Sequence, residues 1–259
     1  MHVAPVELRA IRQSGMVIRF VLLGPMAYAL AEIPVSGSPG TSLEQACSLA
    51  HWGFVIEGDL TYVSDGQRQP IPAGRGFHVP AGGPEHHFES AGAGLVAGFQ
   101  PVEPELDVSD KGLAAKGFEI IKPRVAPTIV PPIPEQEVAA GQVATESWPM
   151  SGYLMTRVRM GERTGYTAGW CDAPHWGLVT TGRFAIEWEN DVELVSTGDV
   201  FHCPGGPPGH RIEAADPTTF VDLTPISAMD GSRRLADWRR DWEQSVHRPT
   251  RGIAVAALG

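Results

Sequence analysis

The side chains in this sequence that can carry chemistry fall into two matched sets: Cys47, His51, His78 and His86, and Cys171, His175, His202 and His210. Thiols and imidazoles are groups that bind transition metals and move protons near neutral pH. Each member of the second set follows its counterpart by the same distance, since 171 − 47, 175 − 51, 202 − 78 and 210 − 86 all give 124. Two sets held at one spacing argue for a site that occurs twice.

The segments that must position these groups repeat with them. Cys47-Ser-Leu-Ala-His51-Trp-Gly-Phe-Val-Ile-Glu-Gly58 returns as Cys171-Asp-Ala-Pro-His175-Trp-Gly-Leu-Val-Thr-Thr-Gly182. Gly74-Arg-Gly-Phe-His78-Val-Pro80-Ala-Gly82-Gly-Pro84-Glu-His86 returns as Gly198-Asp-Val-Phe-His202-Cys-Pro204-Gly-Gly206-Pro-Pro208-Gly-His210. We expect an ungapped register from Pro25/Pro149 to Pro101/Pro225, the mark of a tandem duplication of one domain. The shared glycines and prolines are turn and close-approach residues that a duplicated β fold keeps for backbone reasons.

Two domains of roughly 110 residues each suffice for independent cores in a 259-residue chain. Only 19% of residues are charged, against 30 glycines and 23 prolines, which favours short strands and many turns over long helices. The net charge of −10, with no Lys/Arg block, lacks the electrostatic footprint of a nucleic-acid or anionic-membrane binder. A small molecule or a protein partner, including a homodimer, remains. The most apolar run, 17–33, is broken by Arg19 and Gly24-Pro25, so we expect buried strands there and no membrane span. Three cysteines, two of them at equivalent repeat positions, do not make a disulfide framework, and we expect a cytoplasmic protein with reduced thiols.

In chain order, residues 1–46 read as a lead-in and strands, with a loop at Gly37–Gly40. His51 to Val63 reads as one long strand or a bent pair, closed by the hairpin turn Asp65-Gly66. In the second copy Phe184, Ile186 and Trp188 alternate along one strand face. A mildly helical connector spans 107–116, and the proline-rich stretch 123–134 is the expected crossover. Leu235, Trp238, Trp242 and Val246 have helical spacing, which predicts a short C-terminal helix. The expected domains are 1–115, 116–227 and a helical tail, 228–259.

The two blocks resemble the cupin superfamily across both halves, so the chain is similar to a bicupin. The second cupin motif is seen in Gly74-x5-Pro80-x-Gly82 and Gly198-x5-Pro204-x-Gly206, each followed by a histidine. Two departures stand out. Three residues, not the usual two, precede His86 and His210. In the first motif, counting back from Gly58 and Gly182 puts His51 and His175 at the usual glutamate position and Cys47 and Cys171 at that of the second histidine; Gln45 and Gly169 fall at the first. The resemblance implies an all-β fold of two tandem jelly-roll barrels, while many chemistries share that fold.

In such a barrel Cys47, His51 and His86, and Cys171, His175 and His210, would project inward from adjacent strands as metal ligands. A thiolate with two imidazoles suits Zn²⁺, and Fe²⁺ less selectively, up to one ion per domain. The alternatives are hydrogen-bonded core histidines and, for the cysteines, small apolar fillers. His78 and His202 are candidates for a replacement ligand, a catalytic acid/base or an outer-face residue. His87 and Arg211 share a repeat position; if they face the pocket they would bind substrate, with Arg211 suited to a carboxylate, and if not they are solvent-facing. Trp52 and Trp176 read as barrel packing.

The sequence holds no dinucleotide loop, phosphate-binding loop or nucleophile elbow, which leaves a metal as the expected cofactor. We expect a metal-dependent enzyme acting on a small organic molecule, either a dioxygenase or a redox-neutral lyase, isomerase or cyclase. The alternative is a non-catalytic metabolite-binding bicupin with a structural or vestigial metal.

Overall fold

A computed structural model describes residues 2–3, 8–13, 15–35, 50–81, 86–102, 107–121, 138–150, 152–166, 170–206, 209–229 and 254–255. The chain forms two compact units, one of residues 6–128 with 252–259, the other of residues 129–251 with 1–5. We call them the first and the second barrel.

The strands in chain order begin with β1 (His2–Val3), β2 (Arg9–Gln13), β3 (Met16–Leu23), β4 (Met26–Ile33), β5 (His51–Glu57) and β6 (Leu60–Ser64). They continue with β7 (Gln67–Ile71), β8 (Gly76–Val79), β9 (His86–Ser90), β10 (Gly94–Pro101) and, after helix α1 (Asp110–Ala115), β11 (Glu119–Ile121). The second half contributes β12 (Val143–Met150), β13 (Tyr153–Met160), β14 (Thr164–Gly165), β15 (His175–Thr181) and β16 (Arg183–Glu187). It closes with β17 (Val192–Ser196), β18 (Val200–Cys203), β19 (Arg211–Ala214), β20 (Thr218–Pro225) and β21 (Ala254–Val255).

The first barrel packs the sheet β11-β2-β3-β4-β10-β5-β8-β21 with the sheet β7-β6-β9. The second packs β1-β18-β15-β20-β13-β12 with β14-β19-β16-β17. All pairings are antiparallel, and this is the jelly-roll arrangement that the sequence leads one to expect. Each terminal strand joins the unit formed by the other half of the chain: β1 pairs β18, and β21 pairs β8.

Each barrel interior is filled by alternate residues of facing strands. The second core gathers Val158, Val179, Phe184, Ile186, Phe201, Ile212 and Phe220, with Trp188 packed on it. The first gathers Val55, Leu60, Tyr62, Ile71, Phe77 and Val96. In both, a glycine on the strand that starts with the motif histidine lets an aromatic ring lie on the backbone: a Cβ on Gly53 would sit 2.1 Å from the Phe77 ring, and one on Gly177 2.2 Å from that of Phe201. His51 to Val63 is the bent pair, broken at Gly58, whose φ of 81° matches the 79° of Gly182. Asp65 and Gly66 both take positive φ and close the hairpin β6–β7, as that dipeptide predicts.

The register between the halves needs a correction. From β5/β15 to β10/β20 the offset is 124, but β4 begins at Met26 and β13 at Tyr153, an offset of 153 − 26 = 127. Pairing agrees: Gly98 faces Ala29 where Asp222 faces Thr156, and 156 − 29 = 127. So Pro25 and Pro149 are not equivalent. At the shifted register a cross-strand ion pair recurs with its signs exchanged, Arg19–Glu32 on β3/β4 and Glu146–Arg159 on β12/β13.

Helix α1 falls within the expected helical connector, capped by Ser109, whose hydroxyl accepts from Gly112 N at 3.1 Å. Its Leu113 packs on Ile11 and Phe20, so the helix belongs to the first barrel, as does β11 beyond residue 115. The helix expected over 232–246, the crossover 123–134 and the loop 37–40 lie outside the described residues. No helix among the described residues is long and apolar enough to cross a membrane.

Candidate metal centre

At one end of the second barrel the interior changes from apolar to polar. His175, first residue of β15, faces inward with Gly177 and Val179, and Asp222 and Thr224 face inward on the paired β20 below Phe220. His210 leads into β19, where Ile212 and Ala214 share its face, and a two-way backbone bridge joins it to Cys171, each N–H donating to the other's carbonyl at 2.8 Å. Pleat alternation and that bridge bring three donors from distant parts of the sequence to one point.

The resulting cluster is compact. The ligand atoms of Cys171, His175 and His210 all lie within 4.8 Å of one another. Cys171 Sγ is 3.2 Å from His175 Nε2, and the two imidazoles meet edge to face with centroids 5.1 Å apart. Behind His175, Nδ1 donates to Asp222 Oδ2 at 2.8 Å, with Thr224 Oγ1 at 2.7 Å from the same nitrogen. Trp188 lies over His210 at 5.6 Å. His210 Nδ1 and Asp222 Oδ1 are buried and make no hydrogen bond among the described residues.

Burial and charge act against each other here. Desolvation alone would discharge His175, but hydrogen bonds and charge from Asp222 and Cys171 outweigh it and raise its pKa to about 9. For Cys171, desolvation opposes the thiolate, and the hydrogen bond and charge of His175 prevail and lower its pKa. Desolvation, helped by the nearby His175, holds His210 neutral, with a pKa lowered to about 3. Burial pushes the Cys203 thiol well up, so it stays protonated.

Among its described residues, the first barrel reproduces part of this. His51 and His86 come together with centroids 5.6 Å apart, and Tyr62 stacks on His86 at 5.4 Å. The position of Asp222 is held by Gly98 (222 − 124), that of Thr224 by Gln100, and that of Thr156 by Ala29. Burial, with the charges of His86 and His78, lowers the pKa of His51 to about 4, and a hydrogen bond to Gln100 only partly offsets this. Cys47 lies outside the described residues.

The structure corrects four of the sequence-derived site residues. His78 pairs with Trp52 and His202 with Trp176, each one residue along from the inward histidine, so both point to the opposite face of the sheet. There they stack on those tryptophans at 5.4 and 5.2 Å, and burial lowers the pKa of His78 to about 4. Neither is brought to the cluster, and the tryptophans are packing residues as expected. Arg211 and His87 follow inward histidines and therefore point outward. Arg211 is ion-paired with Glu187 and lies 4.9 Å over the ring of Trp170, while His87 is 3.3 Å from Glu89.

Asp222, Thr224 and Trp188 join the site without a motif to announce them. The available signal was a lone aspartate inside the apolar run Thr219-Phe-Val-Asp222-Leu-Thr-Pro, whose counterpart is a glycine.

Among solved structures the chain is similar to AerE from Microcystis aeruginosa, with 10% identity, 84% of this chain and 97% of that one covered, and a TM-score of 0.57. It is similar to the oxalate decarboxylase of Bacillus subtilis, a protein described with Mn(II) centres, at 12% identity, 99% and 89% coverage and a TM-score of 0.59. It is also similar to the oxalate decarboxylase of Lactobacillus farciminis in a formate complex, at 13% identity, 87% and 86% coverage and a TM-score of 0.59. No protein-family model and no curated protein sequence matches. The likeness shows the fold, two tandem jelly-roll barrels in one chain, as the resemblance to bicupins implies.

Proposed function

We propose that the protein is a metal-dependent enzyme acting on a small organic molecule, with its reaction centre in the second barrel. Cys171, His175 and His210 would hold one divalent transition-metal ion. The observation that carries this reading is their convergence within 4.8 Å at the polar end of the barrel, with a buried carboxylate fixed behind the central imidazole.

The residues fit such an ion. Bond lengths to zinc of about 2.3 Å for sulfur and 2.1 Å for nitrogen, at a tetrahedral angle, put sulfur and nitrogen about 3.6 Å apart, close to the 3.2 Å between Cys171 Sγ and His175 Nε2. Asp222 keeps the proton on His175 Nδ1 and so presents Nε2 as the donor, the usual support of a metal-bound histidine. Thiolate and imidazole are softer donors than the carboxylate and water sites that suit manganese, so the set favours Zn²⁺, then Fe²⁺. When bound, the ion supplies Lewis acidity at the coordination position that three protein ligands leave open. Trp188 covers His210 on one side, and a substrate would enter through an oxygen donor such as a carboxylate, the substrate class to which the names of the oxalate decarboxylases point.

Elemental analysis of the purified protein and of Cys171→Ala, His175→Ala and His210→Ala tests the reading. Near-stoichiometric zinc that each substitution removes is the expected result and favours redox-neutral chemistry. Iron would favour an oxygenase, and a protein purified without metal would sink the reading.

One geometry supports a second reading. Cys171, His175 and Asp222 stand in a line, at 3.2 and 2.8 Å, in the order nucleophile, base and orienting carboxylate. On that reading the centre works without a metal, and Cys171 in the protein as purified would be alkylated by iodoacetamide far faster than Cys203. Protection of Cys171 that only a strong chelator lifts would reject it.

A further inference from the structure

We infer that Asp222 decides which barrel carries the metal: the second binds a divalent ion tightly because of it, and the first, with Gly98 in its place, does not. This rests on the metal-dependent reading and adds to it an assignment between the two sites.

The two positions are structurally the same. Asp222 pairs with Gly177 and Thr156, and Gly98 pairs with Gly53 and Ala29, so each lies on the inward face of the strand next to the motif histidine. What differs is charge. In the second barrel a Cys171 thiolate and the Asp222 carboxylate together offset an ion of charge +2, leaving a buried site without net charge. Among the described residues of the first barrel, His51, His86, Gln100 and Tyr62 supply no negative charge to set against an ion of charge +2. Uncompensated charge in a desolvated site is costly, so the ion is held less well there.

Asp222 itself points the same way. It is 2% exposed and its Oδ1 has no hydrogen-bond partner among the described residues. A cation bound through the imidazole that Asp222 touches would offset the charge of a carboxylate so far from water. Gln100, which takes the place of Thr224 and bonds to His51, is a neutral amide and gives no such support.

The exchange can be made in both directions. A Cβ on Gly98 would meet only Trp52 O at 3.6 Å and Ala29 O at 4.0 Å, which are ordinary contacts, so the first atom of a side chain is accommodated there. The full-length chain, stripped of metal, is titrated with Zn²⁺ against a chromophoric chelator, and with Co²⁺ to read the thiolate-to-metal absorption. The wild type is expected to show one tight site, which Asp222→Asn weakens by about 10- to 100-fold. Gly98→Asp is expected to strengthen binding in the first barrel by a similar factor. Two equally tight sites in the wild type, or a tight site that survives Asp222→Asn in a protein of unchanged circular dichroism, overturns the inference while leaving the metal reading intact. A wild type that takes up neither ion overturns both. Should Gly98→Asp fail to fold, Asp222→Gly carries the test, since retention of the tight site overturns the inference and its loss supports it.

Discussion

The two barrels share their backbone devices and differ in what stands behind one histidine. Gly53 and Gly177 receive the rings of Phe77 and Phe201 at nearly the same distance, and Gly58 and Gly182 turn with nearly the same positive φ. The inward histidines also coincide, yet His175 rests on a buried carboxylate and His51 on a neutral amide. Duplication therefore preserved what the backbone demands, while the few inward positions on the strand opposite the motif, 98 and 222 above all, were free to diverge. At this one histidine the two barrels thus present different electrostatic environments: imidazolium stabilised at His175, neutral imidazole enforced at His51.

The largest expected consequence is in stability. His175→Ala leaves Asp222 buried without its partner, and in the metal-free protein it should cost about 3–5 kcal/mol, the usual result of breaking a buried charged pair. His51→Ala strands no charge and should cost about 1–3 kcal/mol, the desolvation of a lost hydrogen-bond partner. Urea unfolding followed by tryptophan fluorescence reads both, and equal losses would erase the contrast between the barrels.

The next effect is on pH dependence, and it has opposite signs at the two equivalent histidines, His175 and His51. His175, whose folded pKa of about 9 exceeds its ordinary 6.5, contributes stability that is fully present below pH 6.5 and is lost as pH rises through about 9. His51, lowered to about 4, contributes stability present above pH 6.5 and lost as pH falls through about 4. Assigned histidine ring resonances in an NMR titration of the metal-free chain should therefore show the His175 ring still protonated at pH 8 and the His51 ring still neutral at pH 5. Asp222→Asn should move the first toward the ordinary range and leave the second in place; a shift of both would mean that the two sites are not independent.

The smallest effect is expected at Arg211. Its guanidinium is paired with Glu187 on the outer face, and the side chain is 40% exposed. Arg211→Ala should change stability by no more than about 1 kcal/mol and leave metal content and the affinity for a small carboxylate unchanged. A clear loss of carboxylate affinity would bring Arg211 back to the site and restore the sequence-based expectation.

The sequence by itself determined the duplication, because the 124-residue offset recurs through both blocks, while the two barrels and the inward projection of the histidines were what the resemblance of those blocks to the cupin superfamily implied. Cys171, His175 and His210 were legible for the same reason: they repeat. Only the tertiary structure decided which neighbours of those residues face the same way. Side chains alternate across a strand, so His78, His202, His87 and Arg211, each an odd number of places from an inward position along its strand or across its pairing, turn to the outer face. Asp222 carries no motif and lies 47 residues from His175, and its meaning appears only when β20 pairs with β15 and sets a carboxylate behind an imidazole in a place that water does not reach.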